Sequence, residues 1–382
     1  MRTHLQLLIL LILVVSLVAC GERPPASTTV QPATPAAQEA GAPASTSAPP
    51  APGATPAATA TTAPTATPEL AEAGASRSVP LPLGTELRFK DWAVVITEVA
   101  RGAEAAAAIA GANRFNDPAP EGWQYLLATL RMTNISTEQE AKSVLFGIDL
   151  RVTGDRNVLY SRASVVVPQP LEGELFPEGS TEGQVAFLVP ADERNLMFFV
   201  AESFSFDLDA RRFVAIDEGA TISPDPALEK IAPTDVGATR ASPAPLGTTA
   251  VSDDWEITVL EVYRGADAAQ RVAEANQFND PAPEGQAYLV VRIRARYLGG
   301  GEPDTAAGID RSAFKVTGAA NVIYERPIVV APTPSLEAYL FPGGQAEGWI
   351  VVQAPVEEAG LTLVYEPLFE FGTKNRRFLS LE

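Results

Sequence analysis

Asn116, Asp117 and Glu121 stand close together in the chain, and the same side chains return as Asn279, Asp280 and Glu284. Hard oxygen donors gathered in one turn are what calcium takes, in sets of six to eight oxygens. The spacing is not that of an EF-hand, whose loop needs about twelve residues with ligands at alternating positions. A second reading gives every residue of the loop a backbone task. In it Phe115 anchors in the core, Asn116 closes an Asx-type turn, two prolines stiffen the path and Gly122 permits entry into the next strand. Beyond this loop no catalytic residue is named. Acidic side chains are abundant, but abundance without geometry does not define a glycosidase pair, whose carboxylates stand roughly 5 to 10 Å apart.

Cys20 is the only cysteine and His4 the only histidine. Both fall within residues 1–20, so the region after them has no disulfide, no Cys/His zinc site and no imidazole to activate a serine or cysteine nucleophile. A Ser-Lys mechanism fares no better, since none of Lys90, Lys142, Lys230, Lys315 and Lys374 recurs as lysine in the repeat described next. A net charge of −19 repels phosphate backbones, and nucleic acid is not an expected partner.

The acidic loops belong to an eight-residue identity, Phe115 to Gly122 and Phe278 to Gly285, which marks the chain as a duplication. The register holds over Trp92 and Trp255 and over Tyr125 and Tyr288, 163 apart (288 − 125). It drifts to 164 at Val152-Thr153-Gly154 and Val316-Thr317-Gly318 (316 − 152), and to 165 at Leu175-Phe176-Pro177 and Leu340-Phe341-Pro342 (340 − 175). Arg211-Arg212-Phe213 and Arg376-Arg377-Phe378 keep 165. Single-residue changes of this kind mark loops.

The elements that must hold the loops are strands. Leu289, Val291, Ile293, Ala295 and Tyr297 alternate with Val290, Arg292, Arg294 and Arg296, and Leu126, Ala128, Leu130 and Met132 alternate likewise in the first copy. Further strands are expected around Trp92 and Trp255, over 157–167 and 321–330, 183–189 and 348–352, 196–200 and 361–365, and at the two Arg-Arg-Phe segments. The alanine-rich runs Ala103–Ala112 and Ala266–Ala275, with Glu104 and Asp267 near their starts, predict one short helix each, Ile109 and Val272 facing the sheet. Arg292, Arg294 and Arg296 form an outward basic row, able to bind an acidic glycan or to pair with cross-strand acids. The Arg-Arg-Phe segments read as edge strands with outward charges. The expected fold is all-β: two tandem immunoglobulin-like antiparallel β-sandwiches, each with a short helix before a central strand.

The aliphatic strand after Trp92 or Trp255, the Gly-x-x-Tyr-Leu strands at Gly122 to Leu126 and Gly285 to Leu289, and Asn134 at the end of the first of these resemble bacterial extracellular telokin-like, immunoglobulin-like domains of unknown function. Tyr297 replaces Asn134 in the second copy. The resemblance implies an Ig-like sandwich on exported or lipid-anchored proteins, with no catalytic residues to carry over.

Residues 1–20 read as a signal peptide, with Arg2 ahead of an apolar run from Leu5 to Val18 that is shorter than the roughly 20 residues of a bilayer span. Its end, Leu17-Val18-Ala19-Cys20, resembles a bacterial lipobox, which implies cleavage before Cys20 and lipid on its thiol. Residues 21–78 are rich in Pro, Ala, Thr and Ser and read as a disordered tether, at most roughly 180 Å long if extended as polyproline II. The expected domains are residues 79–217 and 246–382, with a proline-punctuated linker over 218–245.

The expectation is a non-catalytic lipoprotein on the extracytoplasmic face of the cell membrane, held by its N-terminal lipid. Its tandem domains bind or present to an extracellular or envelope protein or glycan. The alternatives are a carboxylate-dependent hydrolase of envelope polysaccharide and a purely structural spacer. No cofactor is expected beyond the calcium reading of the repeated loop.

Overall fold

The computed structural model describes residues 73–205, 210–300, 302–367 and 373–382, all within one compact unit, Pro64–Glu382. The expected signal peptide, Cys20 and the tether as far as residue 72 lie outside the described residues. The first half runs β1 (Leu87–Arg88), β2 (Trp92–Arg101), α1 (Ala103–Ala112), β3 (Trp123–Asn134), β4 (Lys142–Ser143), β5 (Ile148–Thr153), β6 (Glu174–Leu175), β7 (Ser180–Pro190), β8 (Met197–Glu202) and β9 (Arg212–Ala215). The second half runs β10 (Ala250–Val251), β11 (Trp255–Tyr263), α2 (Gly265–Ala275), β12 (Gln286–Tyr297), β13 (Ala307–Asp310), β14 (Phe314–Thr317), β15 (Ile323–Tyr324), β16 (Glu337–Leu340), β17 (Gln345–Pro355), β18 (Thr362–Tyr365) and β19 (Arg377–Ser380).

Alternation of side chains decides the layers. In the four-stranded sheet β1-β2-β3-β7, one face of β3 presents Leu126, Ala128, Leu130 and Met132. They pack against Leu150 and Val152 of β5, Phe198 and Val200 of β8 and Val214 of β9, the second sheet of the sandwich. The other face presents Tyr125 and Leu127 to Ala105 and Ile109 of α1. The second half repeats both contacts. Its sheet β10-β11-β12-β17 lies against β15-β14-β18-β19 through Leu289, Val291 and Ile293, and against Ala268 and Val272 of α2 through Tyr288 and Val290. All the ladders are antiparallel, so the chain is an all-β sandwich protein with one short helix per half. Each long hairpin also breaks register at the same place, between Ile96 and Glu98 and between Val259 and Glu261.

Two segments differ from the strands expected of them. Residues 157–167 make only isolated bridges at Val158, Tyr160 and Arg162, and of 321–330 only Ile323–Tyr324 is strand. Val158 and Leu159 are apolar for another reason: they meet the second half, where Val158 bridges Leu340 and the Leu159 amide donates to the Tyr339 carbonyl at 2.9 Å. The Arg-Arg-Phe segments are edge strands, as read, but Arg377 does not point outward. It is buried, and its guanidinium donates to the Val251 carbonyl, with Nε at 3.0 Å and Nη2 at 2.6 Å. A buried guanidinium needs every donor satisfied, and the carbonyls of β10 lie within its reach.

The halves are joined by a built interface. Phe341, fully buried, enters a cluster with Leu159, Met197 and Phe213 on the outer face of β8 and β9. Arg77 lies over the Phe341 ring at 4.0 Å from its centre. Its Nε donates to Asp304 at 2.8 Å, Nη1 to Asn157 Oδ1 at 2.6 Å and Nη2 to the Pro303 carbonyl at 2.9 Å. Residues 73–78, placed in the tether by composition, are thus ordered by a partner 227 residues away (304 − 77). The lead-in is itself repeated. Gly74-Ala75-Ser76-Arg77 and Gly237-Ala238-Thr239-Arg240 stand 163 apart (237 − 74), and Phe213 and Phe378 each donate their amide to the first glycine carbonyl at 2.7 Å.

Candidate functional site

The repeated octapeptide joins each helix to its central strand. Gly122 and Gly285 adopt φ of 78° and 76°, the left-handed region that a side chain would strain. Phe115 does not anchor the loop: it is 76 % exposed, and Phe278 is 82 % exposed. The anchor is Asn116. Its Nδ2 donates to the Ile109 carbonyl at 2.8 Å and the Val166 carbonyl at 2.7 Å, while Oδ1 accepts from the Val166 amide at 2.9 Å. Asn279 does the same with Val272 and Val330, at 2.7, 2.9 and 2.8 Å. One amide thereby fastens the end of the helix to the segment crossing over it. The Asx turn belongs instead to Asn113 and Asn276, whose Oδ1 accepts from the Phe115 and Phe278 amides.

With Asn116 and Asn279 committed to backbone, the loop keeps only Asp117, Glu121, Asp280 and Glu284 as exposed carboxylates. Among the described residues no group of three or more acidic, histidine or cysteine side chains stands where a metal ion could be held. The Asp117 and Asp280 carbonyls accept from the Tyr125 and Tyr288 hydroxyls at 2.9 and 3.0 Å. Asn116→Ala is expected to cost about 1–2 kcal/mol, because its partners on Val166 reach water, and Asn279→Ala about 2–3 kcal/mol, because its own are half-buried. Urea unfolding midpoints at unchanged slope measure both.

The basic row is neutralised by its neighbours. Arg292 pairs with Glu261 and Glu347, Arg294 with Glu347, and Arg296 with Glu256. These cross-strand acids leave little free positive charge for an acidic glycan.

A groove of about 910 Å³ lies between the repeats, walled by Trp123, Arg156 and Tyr160 on one side and Glu337, Tyr339 and Gln345 on the other. The octapeptide places its first aromatic wall, because Gly122 turns the chain directly into Trp123. Trp123 meets Tyr160 edge-on, with centroids 6.1 Å apart. Arg156 is held by Asp192 at 2.8 Å, and Arg151 lies 4.4 Å over the Tyr339 ring. Gln286 occupies the Trp123 position in the second repeat, so this wall is peculiar to the first. Sequence reasoning passed over the groove because its two walls come from different repeats.

Behind it Tyr160 donates to Glu193 Oε2 at 2.7 Å, and Glu193 Oε1 accepts from the Arg156 amide at 2.9 Å. Tyr324 and Glu358 form the same pair in the second repeat, and Glu358 accepts from the Ala320 amide. The pair explains the repeated Val-Thr-Gly: a Cβ on Gly154 would lie 2.4 Å from Glu193 Oε1. Its role is to fasten a turn. The two copies titrate in opposite senses. Burial raises Glu193 above the usual glutamate range, whereas the Tyr324 hydroxyl and the Ala320 amide hold Glu358 below it.

The sign of the linkage follows. The folded protein keeps the Glu193 proton to higher pH than the unfolded chain does, so that contribution is full below the ordinary glutamate range and is lost as pH rises through the raised value. Glu358 contributes above that range and its share is lost as pH falls through the lowered value. Over a range of about pH 2 to 8, the melting temperature of Glu193→Gln should therefore gain on the wild type as pH rises above the ordinary glutamate value of about 4, and the deficit of Glu358→Gln should shrink as pH falls below it. Parallel thermal melts across that range are the check.

Neither a known protein family nor a curated protein matches the sequence. Several solved structures match in part. The yjhA protein of Bacillus subtilis is 13 % identical over 36 % of this chain and 99 % of its own, with a TM-score of 0.26. An uncharacterized beta-sandwich protein of Clostridium difficile is 9 % identical over 36 % of this chain and 95 % of its own, at 0.25. A conserved hypothetical protein of Bacillus anthracis is 9 % identical over 35 % and 94 %, also at 0.25.

Proposed function

We propose that the chain is a non-catalytic surface lipoprotein, acylated at Cys20, whose duplicated Ig-like domains hold an envelope glycan in the groove between them. The observation that carries this reading is the groove itself. It offers aromatic faces from Trp123, Tyr160 and Tyr339, with Arg156, Glu337 and Gln345 placed among them as polar contacts. Concave, partly apolar surfaces with a few fixed polar groups are the usual form of a ligand site. Glu193, behind the groove, is engaged with Tyr160 and the Arg156 amide, which suits a fastening role better than proton transfer. Lipidation rests on the resemblance of residues 17–20 to a lipobox.

The test is a thermal-shift panel of soluble peptidoglycan fragments and other envelope oligosaccharides. A glycan that binds the folded state stabilises it by ~2.7 kcal/mol at roughly one hundred times its Kd. Trp123→Ala is expected to abolish that rise while leaving the unliganded midpoint nearly unchanged. A flat response across the panel would favour the spacer reading, and release of new reducing ends would favour the hydrolase.

A further inference from the structure

The interface between the repeats joins two surfaces, and each repeat owns a copy of both. The inserted surface is the turn Leu340-Phe341-Pro342 of the second repeat. The receiving surface is formed by Arg77, Asn157, Val158, Leu159 and Phe213 of the first.

The inserted surface recurs in the first repeat as Leu175-Phe176-Pro177, with the same backbone. The Gly179 amide donates to the Phe176 carbonyl at 2.9 Å, as Gly344 does to Phe341. Glu178 donates to Asn134 at 2.8 Å, as Gly343 does to Tyr297, and Asn134 and Tyr297 return donation to Gly179 and Gly344 at 3.0 Å. Phe176 is 65 % exposed where Phe341 is 0 %. Gly344 must be glycine for the interface, since a Cβ there would lie 2.4 Å from the Asn157 carbonyl oxygen, and Gly179 keeps that freedom. Glu178 stands where Gly343 does, and a Cβ at Gly343 would lie 3.2 Å from Asn157 Nδ2, the end of a side chain that can turn.

The receiving surface recurs in the second repeat. Arg240 Nη1 donates to Asn321 Oδ1 as Arg77 Nη1 does to Asn157. Asn321 and Asn157 share a left-handed φ, 63° and 58°, and each amide donates 3.0 Å to the glycine three residues before. Val322 and Ile323, in the places of Val158 and Leu159, are 50 % and 53 % exposed, and Arg240 is exposed as well. The acid that Arg77 finds in Asp304, in the loop ahead of β13, has an exposed counterpart in Glu140, in the loop ahead of β4.

We propose that the Phe176 turn of one molecule docks on the Arg240–Ile323 surface of a second copy of the same chain, repeating between molecules the interface that each contains within itself. Among the described residues one exposed turn and one exposed Arg240–Ile323 edge per chain make the contact heterologous, so it either closes into a ring or propagates into an open assembly. It is weaker than the internal interface, which also has the Ile222 amide on the Arg77 carbonyl and the covalent link between repeats.

Sedimentation of the chain from residue 21 onward, which retains every described residue, tests it. The weight-average mass should be monomeric at ~1 µM and rise at least about twofold by ~1 mM. Phe176→Asp and Ile323→Asp, both at exposed positions where folding is unaffected and checked by circular dichroism, should each remain monomeric. Mixed together they should give a complex of two chains and no more, because each retains the half that the other lacks. A wild type that stays monomeric across the range, a variant that assembles like the wild type, or a mixture without heterodimer would each overturn the proposal.

Discussion

Arg77→Ala is expected to lower stability by about 3–5 kcal/mol, the scale on which breaking a buried ion pair from one side leaves the other charge uncompensated. Asp304 would be that charge: its side chain is buried with Arg77, whose guanidinium makes three contacts across the interface. The substitution also strips the cation from above Phe341, a further loss of roughly 0.5–2 kcal/mol. Because the contacts lie between the repeats, their loss should also split one calorimetric unfolding transition into two. Arg77→Met with Asp304→Leu should recover a large part of the deficit, since it removes both charges together. A double-mutant cycle on these residues measures the coupling, and a deficit under 1 kcal/mol for Arg77→Ala would refute the buried-pair account.

Phe341→Ala should be comparably damaging, at about 3–5 kcal/mol, through a different mechanism. The ring is fully buried against Phe199 and Phe213, with centroids at 6.5 and 5.9 Å, and its removal leaves a cavity between two pre-formed sandwiches that cannot collapse into it without sliding. The same change at Phe176, the equivalent residue of the first repeat, should leave the stability of a single molecule within ~0.5 kcal/mol, because that ring stands in solvent. The contrast between two positions that share a Leu-Phe-Pro context and a turn geometry points to burial as the cause. Combined with Arg77→Ala, the loss should be less than additive, since the guanidinium stacks on the ring that is removed.

These interface residues mark the boundary of what the amino-acid order reveals. Leu126 to Met132 and Leu289 to Tyr297 were readable because a half-buried strand imposes a period of two, whatever it packs against. The helix of Ala103–Ala112 was readable because its propensity is local. Burial of Phe341 beside exposure of Phe176 was not, since the two share a Leu-Phe-Pro context and differ only in what lies opposite. Phe115 misled for the converse reason: an aromatic beside a turn suggests an anchor, yet a small amide, Asn116, makes the three bonds that fix the loop. Arg77 sits among alanine, glycine and serine and looked like tether. The signal was nevertheless present, because Gly74-Ala-Ser-Arg and Gly237-Ala-Thr-Arg keep the 163-residue register (237 − 74) and extend the repeat upstream of Val79. The groove was beyond reach for a simpler reason: Trp123 and Tyr339 share no sequence neighbourhood and meet only across the interface.

The lead-in has a mechanical consequence. Residues 74–79 are turns closed by the Gly74 amide on Val79, and Leu81 alone bridges β9 in parallel, at Val214, with the Phe213 amide on Gly74, the Leu81 amide on Phe213 and the Ala215 amide on Leu81. A load drawn through residue 73 pulls this segment one way, and the chain leaving Ala215 pulls β9 the other. The Gly74 bonds therefore take the load first, and the turn they close must be drawn out before the two bonds of Leu81 are strained. Resistance to such a pull is set by the barrier to unfolding and not by the equilibrium stability. The first repeat thus meets tension at its entry in two stages, the turn and then the bridge.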